Sequence, residues 1–265
     1  MKAIIVSKKD LAGMNIRDKL LKLFDFKQEG DVYSYKDIKL YTVEGDSVYC
    51  ENIDEDIKAD IIVFATRHSG SRDEKILSAH SPGNWSKAGL GGRDTELCTA
   101  PASYLREAFL ELSKKAEGIG YEAVLECTHH GPYVDVETPV MFMEIGTTEK
   151  QWKDDKAGEV LAKAIVEVLT KEIKECEAVF GIGGAHYCYN FAKLLKRTKY
   201  AVGHICPKYM TANLDKEMIS KALDRTKEKV RLVLLDWKGI GPEKHEIKKM
   251  LGELGLENKK LKEIL

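Results

Sequence analysis

Asp60-Ile61-Ile62-Val63-Phe64-Ala65-Thr66 is a continuous apolar run, closed by Arg67-His68-Ser69-Gly70. A strand with one wet face alternates apolar and polar residues. This run does not, so it predicts a strand covered on both faces, as in a parallel sheet flanked by helices. Shorter runs repeat the pattern: Lys2–Ser7, Ala123-Val124-Leu125, and residues 140–145, 178–182, 200–203 and 231–235. Between them lie stretches with helical spacing. Residues 16–24 carry Ile16, Leu20, Leu23 and Phe24, and Thr99-Ala100-Pro101 opens a helix that runs to about Glu117. Thr148-x-x-Gln151 fits a capping box for a long helix striped by Ala157, Leu161, Ile165 and Val168. Asp215 caps a further helix, and Gly241-Pro242 opens a terminal one that Gly255 stops. Alternation of this kind specifies an α/β fold with a largely parallel sheet. Val32–Tyr35 and Ile38–Val43, continued by residues 47–50, add a small antiparallel excursion near the N-terminus. No repeat, low-complexity tract or linker interrupts the series, so residues 1–265 read as a single domain.

The bulk composition narrows the function classes. With 265 residues, 43% of them hydrophobic, the chain can bury one large core. No apolar stretch approaches the roughly 20 residues a membrane span needs, and Met1-Lys2-Ala3-Ile4-Ile5-Val6 reads as a strand and not as a signal peptide. Six cysteines without a C-x-x-C pair fit reduced thiols in a cytoplasmic protein better than a disulfide framework. The net charge of -1 supplies no global attraction for nucleic acid, so an RNA partner requires a local basic patch. Lys193, Lys196, Arg197 and Lys199 crowd one predicted helix end and are the candidate patch.

Chemistry-bearing residues collect after the predicted strands. Arg67-His68 follows one, Glu126-Cys127-Thr128-His129-His130-Gly131-Pro132 another, and Gly183-Gly184-Ala185-His186-Tyr187 a third. His204 and Asp236-Trp237-Lys238 follow two more. If these strands are parallel, the groups converge on one edge of the sheet, where open α/β folds bind ligands. Between Arg67 and Arg93 the chain reads as one long loop. It carries His80, Trp85 and several glycines, a composition suited to lining a site. A lone histidine after a strand is most often a satisfied turn residue. Independent turns have no reason to place histidine repeatedly at one end of a sheet, and the joint pattern predicts a cleft that holds a metal.

These segments resemble the zinc-containing D-aminoacyl-tRNA deacylases of archaea and plants. The resemblance is carried by Thr66-Arg67-His68-Ser69, His80-Ser81-Pro82-Gly83-Asn84, Glu126 to Pro132, Glu144-Ile145-Gly146, Gly181 to Tyr187 and Gly203-His204-Ile205. Ala185 stands where that family usually carries Gly, and Cys188 follows the His-Tyr pair where a less reactive residue is usual. The resemblance implies a core related to the phosphorylase and peptidyl-tRNA hydrolase-like folds. It also implies hydrolysis of the ester joining a D-amino acid to the 3′ terminal ribose of tRNA, with zinc required.

On that reading the zinc ligands are a subset of His68, His80, His129, His130, His186 and His204. Glu126 or Glu144 is the candidate base, and Lys238 the candidate to steady the oxyanion or a terminal phosphate. Selectivity for the D hand falls to walls around the site, with Trp85, Tyr187 and Tyr133 as the bulky candidates and Gly183-Gly184 as backbone that can approach the substrate. Two other readings use the same residues: a zinc amidohydrolase or peptidase acting on small substrates, and a non-catalytic tRNA-binding protein with structural zinc.

Overall fold

The computed structural model describes residues 1–265. The strands are β1 (Lys2–Ser7), β2 (Lys27–Glu29), β3 (Val32–Tyr35), β4 (Ile38–Val43), β5 (Ile61–Ser69), β6 (Ile76–His80), β7 (Glu122–Leu125), β8 (Val140–Thr147), β9 (Glu177–Ile182), β10 (Tyr200–Cys206), β11 (Leu232–Leu235) and β12 (Glu257–Lys260). The helices are α1 (Leu11–Leu23), α2 (Ala102–Ala116), α3 (Glu149–Trp152), α4 (Asp155–Thr170), α5 (Tyr189–Arg197), α6 (Lys216–Asp224) and α7 (Lys244–Glu253). The α/β fold with a mostly parallel sheet and an antiparallel excursion at β2 and β3 is as the sequence predicts.

The strands form two sheets where the sequence reading had one. An eight-stranded sheet has the order β2-β3-β4-β1-β5-β8-β6-β7, and a four-stranded sheet has the order β10-β9-β11-β12. The four-stranded sheet is parallel throughout. In the larger sheet β1, β4, β5 and β8 run together, while β6 lies antiparallel to β8 and carries β7 with it. The strand ends therefore do not share one edge.

Side-chain alternation does the gathering instead. One face of the large sheet presents Ile4, Val6, Val63, Ala65, Leu77, Ala79, Met141 and Met143, which bury against α1, α2 and α4 in a 42-residue core. The opposite face carries Ile5, Phe64 and Phe142, with the two phenylalanine rings stacked at 4.8 Å. Further along β5 and β8 this second face turns polar. Thr66 pairs with Glu144, Glu144 with Ser78, and Phe142 with His80, so all point the same way. The small sheet buries Val179, Val202 and Leu234 in the 42-residue core, and Phe180, Ile182 and Leu235 against α6 and α7.

Local differences from the sequence reading have physical reasons. Residues 76–80, read as loop, form β6 between β8 and the edge strand β7; Ser78 and His80 interrupt the apolar pattern because they face the site. Residues 47–50, read as strand, form a single 3-10 turn, Ser47–Tyr49. The capping box at Thr148 closes only the one-turn α3, and Asp154 then caps α4 by accepting from the Lys156 and Ala157 amides.

Candidate functional site

The polar face of the large sheet supplies the floor of the site. Glu144, buried on β8, faces Thr66 Oγ1 at 3.4 Å, Ser78 Oγ at 3.4 Å and His68 Nδ1 at 3.3 Å, with His80 Nε2 at 3.8 Å. Burial works against its charge, but His68 and His80 outweigh that and hold its carboxyl down at about 2. Glu144 is an ionised anchor.

The segment after β7 forms the second side. The Cys127 amide donates to the His186 carbonyl and the Thr128 amide to the Ile205 carbonyl, which pins the β7 end to the small sheet. Gly131 then packs backbone to backbone on the loop that precedes Arg93; a Cβ there would lie 2.1 Å from the Gly92 nitrogen. Held this way, His129 and His130 turn inward over His80, with ring centroids 4.3 Å and 4.8 Å from it.

The tautomers follow from the carbonyls around these rings. His80 Nδ1 lies 3.2 Å from the Ser81 oxygen, His129 Nδ1 2.9 Å from the Cys127 oxygen, and His130 Nδ1 2.6 Å from the Gly131 oxygen. A carbonyl only accepts, so each Nδ1 carries a proton and Nε2 is the ring atom left for another partner. Burial, reinforced by neighbouring rings, keeps His129 well below the usual histidine range and His130 down at about 4. Three imidazoles each backed by a carbonyl at Nδ1 are the arrangement of metal-binding histidines. One ring nitrogen from each of the three gathers within 4.8 Å.

Glu126 lies between this group and a second one. Its oxygens stand 3.0 Å from His68 Nδ1, 2.8 Å from His186 Nε2 and 3.6 Å from His129 Nε2. Yet neither buried oxygen has a partner at hydrogen-bonding angles, and His80 Nε2 is equally orphaned. Buried polar atoms left in this state cost ~1–3 kcal/mol each, and convergence on a shared cation removes the cost. His68, Glu126 and His186 gather donor atoms within 4.8 Å, as do Cys127, His129 and His186. Burial alone would lower His68 and His186, but Glu126 and Glu144 at the first, and Cys127 and Glu126 at the second, hold both up at about 10. Protons on these rings and a divalent cation are thus alternative ways to neutralise the same carboxylates. The donor set fits a metal.

A cavity of about 780 Å³ opens over the cluster. Its lining includes His68, His129, His130, His186 and Glu144, with Tyr187, Tyr189, Arg67, Arg72, Asp46 and Leu90 around them. Tyr187 Oη lies 3.2 Å from His68 Nε2.

The structure thus brings together Glu126, Glu144, His68, His80, His129, His130, His186 and Tyr187. His204 stays apart, inside β10. Its Nε2 donates to the Cys98 and Arg225 carbonyls at 3.1 Å and 2.9 Å, so Nδ1 accepts from Thr128 Oγ1 at 3.1 Å. Both nitrogens are occupied. Burial holds the ring down at about 4, below the 6.5 of an exposed histidine. An unfolded chain therefore binds a proton between those values that the folded chain does not. The neutral ring contributes ~3 kcal/mol above pH 6.5, lost as pH falls toward 4. His204→Ala is expected to lower Tm at neutral pH and to flatten its decline between pH 6.5 and 4; parallel acid limbs would contradict this role.

Trp85 also lies outside the cavity. It is buried, donates from Nε1 to the Thr128 carbonyl at 3.0 Å and stacks on Phe180. Trp85 thus anchors its loop to the turn after β7. Trp85→Ala should cost ~3–5 kcal/mol of stability and leave the D-to-L rate ratio unchanged; a fall in that ratio would return it to the site. Tyr133 packs under the Arg93 guanidinium, 4.0 Å from its ring centroid.

Gly183 and Gly184 do not approach the cavity either. Their amides donate to the Cys206 and Gly239 carbonyls, and a Cβ on Gly183 would meet Ile240 at 2.8 Å. These glycines let the turn after β9 pack on the Asp236–Gly239 loop. Lys238 is exposed on that loop, outside the cavity lining. Lys193, Lys196, Arg197 and Lys199 are exposed along and beyond α5, but Lys199 pairs with Glu177 and the Lys196 ammonium lies over Phe109.

Sequence reasoning missed Thr66 and Ser78 as partners of Glu144, and Tyr189 at the cavity. The alternation in Ile76-Leu77-Ser78-Ala79-His80 is a signal for Ser78; nothing in the sequence marks Tyr189.

The D-aminoacyl-tRNA deacylase family model matches residues 55–259. The chain belongs to this family. A D-aminoacyl-tRNA deacylase of Thermococcus onnurineus is 40% identical over 272 residues, covering 97% of this chain and 98% of its own length. One from Archaeoglobus fulgidus is 31% identical over 262 residues, covering 96% and 92%. The crystal structure of a conserved protein of unknown function, AF0625, superposes with a TM-score of 0.91 at 29% identity, over 100% of this chain and 96% of that one. Every histidine and carboxylate of the cluster lies within the matched residues of this deacylase family, whereas Asp46 precedes them.

Proposed function

We propose that the chain hydrolyses the ester between a D-amino acid and the 3′ terminal ribose of tRNA, with a zinc ion held by the histidine–carboxylate cluster. The observation that carries the metal half is the pair of orphaned Glu126 oxygens facing His68, His129 and His186. The relatives' names support the substrate half. His80, His129 and His130 offer their Nε2 atoms, and Glu126 and His186 extend the set toward the cavity. Zinc supplies Lewis-acid polarisation of the ester carbonyl and brings the pKa of water down toward roughly 7.

The chain's own groups have separate roles. Glu144, tied to its donors, fixes the orientation of His68. Glu126 has free lone pairs and takes the proton from the attacking water. Tyr187 Oη braces His68 from the cavity side. A structural zinc is closed off by its four ligands, whereas this cluster opens on a cavity large enough for a substrate, which favours catalysis over a purely structural metal. Polarisation of the carbonyl is the same for either hand, so D selectivity falls to the cavity walls, of which Tyr187 is one.

Treatment with a chelator is expected to reduce hydrolysis of D-aminoacyl-tRNA by at least ~10³-fold, with recovery when zinc is returned. Metal-depleted protein that keeps its full rate would overturn the metal half of the reading.

A further inference from the structure

The cluster accounts for the ester but not for the nucleotide that carries it. One line of side chains leads out of the cavity. Tyr187 lies beside the cluster, its ring centroid 5.8 Å from that of His68 and 5.4 Å from that of His186. Tyr189 follows, 6.3 Å further and at 84° to Tyr187. It lines the same cavity and is 50% exposed, although it is the first residue of α5 and could have packed inward. Lys193 comes one helical turn later, about 6 Å along the axis and on the same face of the helix. It is exposed and enters no ion pair, whereas Phe191, Ala192, Leu194 and Leu195 on the other side of α5 are buried.

We propose that this line, Tyr187–Tyr189–Lys193, is the track of the single-stranded tRNA 3′ end, with the terminal base stacked on Tyr189 and the backbone phosphate before it meeting Lys193. The assignment rests on the deacylase reading for the position of the ester. Its shape is independent of that reading. An exposed aromatic followed by an unpaired cation is the combination that holds single-stranded nucleic acid without reading its sequence. The order is also right: the reacting carbonyl at the cluster, then ring, then cation. Of the basic residues at this helix, Lys193 is the one in line with the cavity. Lys199 is committed to Glu177 and the Lys196 ammonium to the Phe109 ring.

Tyr189 and Lys193 are surface residues, so their variants are expected to fold. Tyr189→Ala should raise the half-saturating concentration of D-aminoacyl-tRNA about tenfold with little change in the saturated rate, and Tyr189→Phe should behave as the unaltered protein. Lys193→Gln should reduce the slope of log affinity against log salt by about one, and Lys199→Gln should not. Binding of uncharged tRNA, measured alongside, keeps this test apart from the deacylase reading. Were the unaltered protein inert on the ester, the deacylase reading would fail, and weaker tRNA binding by Tyr189→Ala would still support the track. Unchanged binding and half-saturation in Tyr189→Ala, or equal slope changes at Lys193 and Lys199, would overturn it.

Discussion

Glu126→Gln is expected to slow single-turnover hydrolysis of a D-aminoacyl-tRNA by on the order of 10²–10⁴-fold, the span of a lost acid–base group. The replacement keeps the shape of the side chain and removes its charge and one acceptor. Glu126 is 2% exposed, and His68 and His186 draw part of their positive character from it. With the anion gone, the amide must place a donor where three imidazole nitrogens converge, so both the proton acceptor and a metal-facing oxygen are lost together. Circular dichroism and Tm should remain near those of the unaltered protein, because Glu126 closes no hydrogen bond that holds the fold. Undiminished turnover in the Glu126→Gln protein would remove Glu126 from the chemistry.

The second large effect is on metal content. His129→Ala and His130→Ala each remove a neutral Nε2 whose ring is fixed by a carbonyl at Nδ1. Loss of a group that merely backs a ligand weakens metal binding by roughly 10–100-fold, so loss of the ligand itself should exceed that. Metal analysis of the two purified variants should find zinc depleted and hydrolysis abolished in parallel. His204→Ala is the internal comparison: it removes a buried histidine whose two nitrogens are both occupied, and it should keep its zinc. Full zinc content with unchanged activity in both His129→Ala and His130→Ala would displace the site from the turn after β7.

What could be read from the sequence divides along physical lines. Strands buried on both faces, such as β5 and β8, announce themselves by continuous apolar runs, and α4 is marked by its own periodicity. β6 was hidden because its outward residues, Ser78 and His80, belong to the site. Functional side chains break the continuous apolar run and leave only a short alternation over residues 77–80. The division into two sheets was hidden for a different reason. Pairing is decided between residues far apart in the chain, and the reversal of β6 against β8 leaves no local trace. That reversal matters for the site. It moves the chemistry from the edge of a parallel sheet to the polar half of one face, where Thr66, Ser78 and Glu144 come into register.

The histidines show the same limit. Six of them stand near strand ends or in the glycine-rich loop, and spacing alone does not separate ligands from a structural ring. His204 is separated by its partners: two carbonyls and a threonine consume both nitrogens, whereas His80 Nε2 is left with none. Trp85 was drawn to the site by its neighbours Gly83 and Asn84, yet its indole binds the Thr128 carbonyl and faces the small sheet. Beyond His80, this stretch lines the cavity through Leu90 instead.

Stereoselective, metal-assisted hydrolysis at the Glu126 cluster is tested most directly by a single-turnover rate. The purified zinc-loaded protein is given one tRNA charged in turn with the D and the L form of the same amino acid. Rapid release from the D form is expected, with a rate on the L form lower by at least ~10²-fold and loss of the D rate in the Glu126→Gln protein. Equal rates on the two hands, or a D rate untouched by Glu126→Gln, would contradict it.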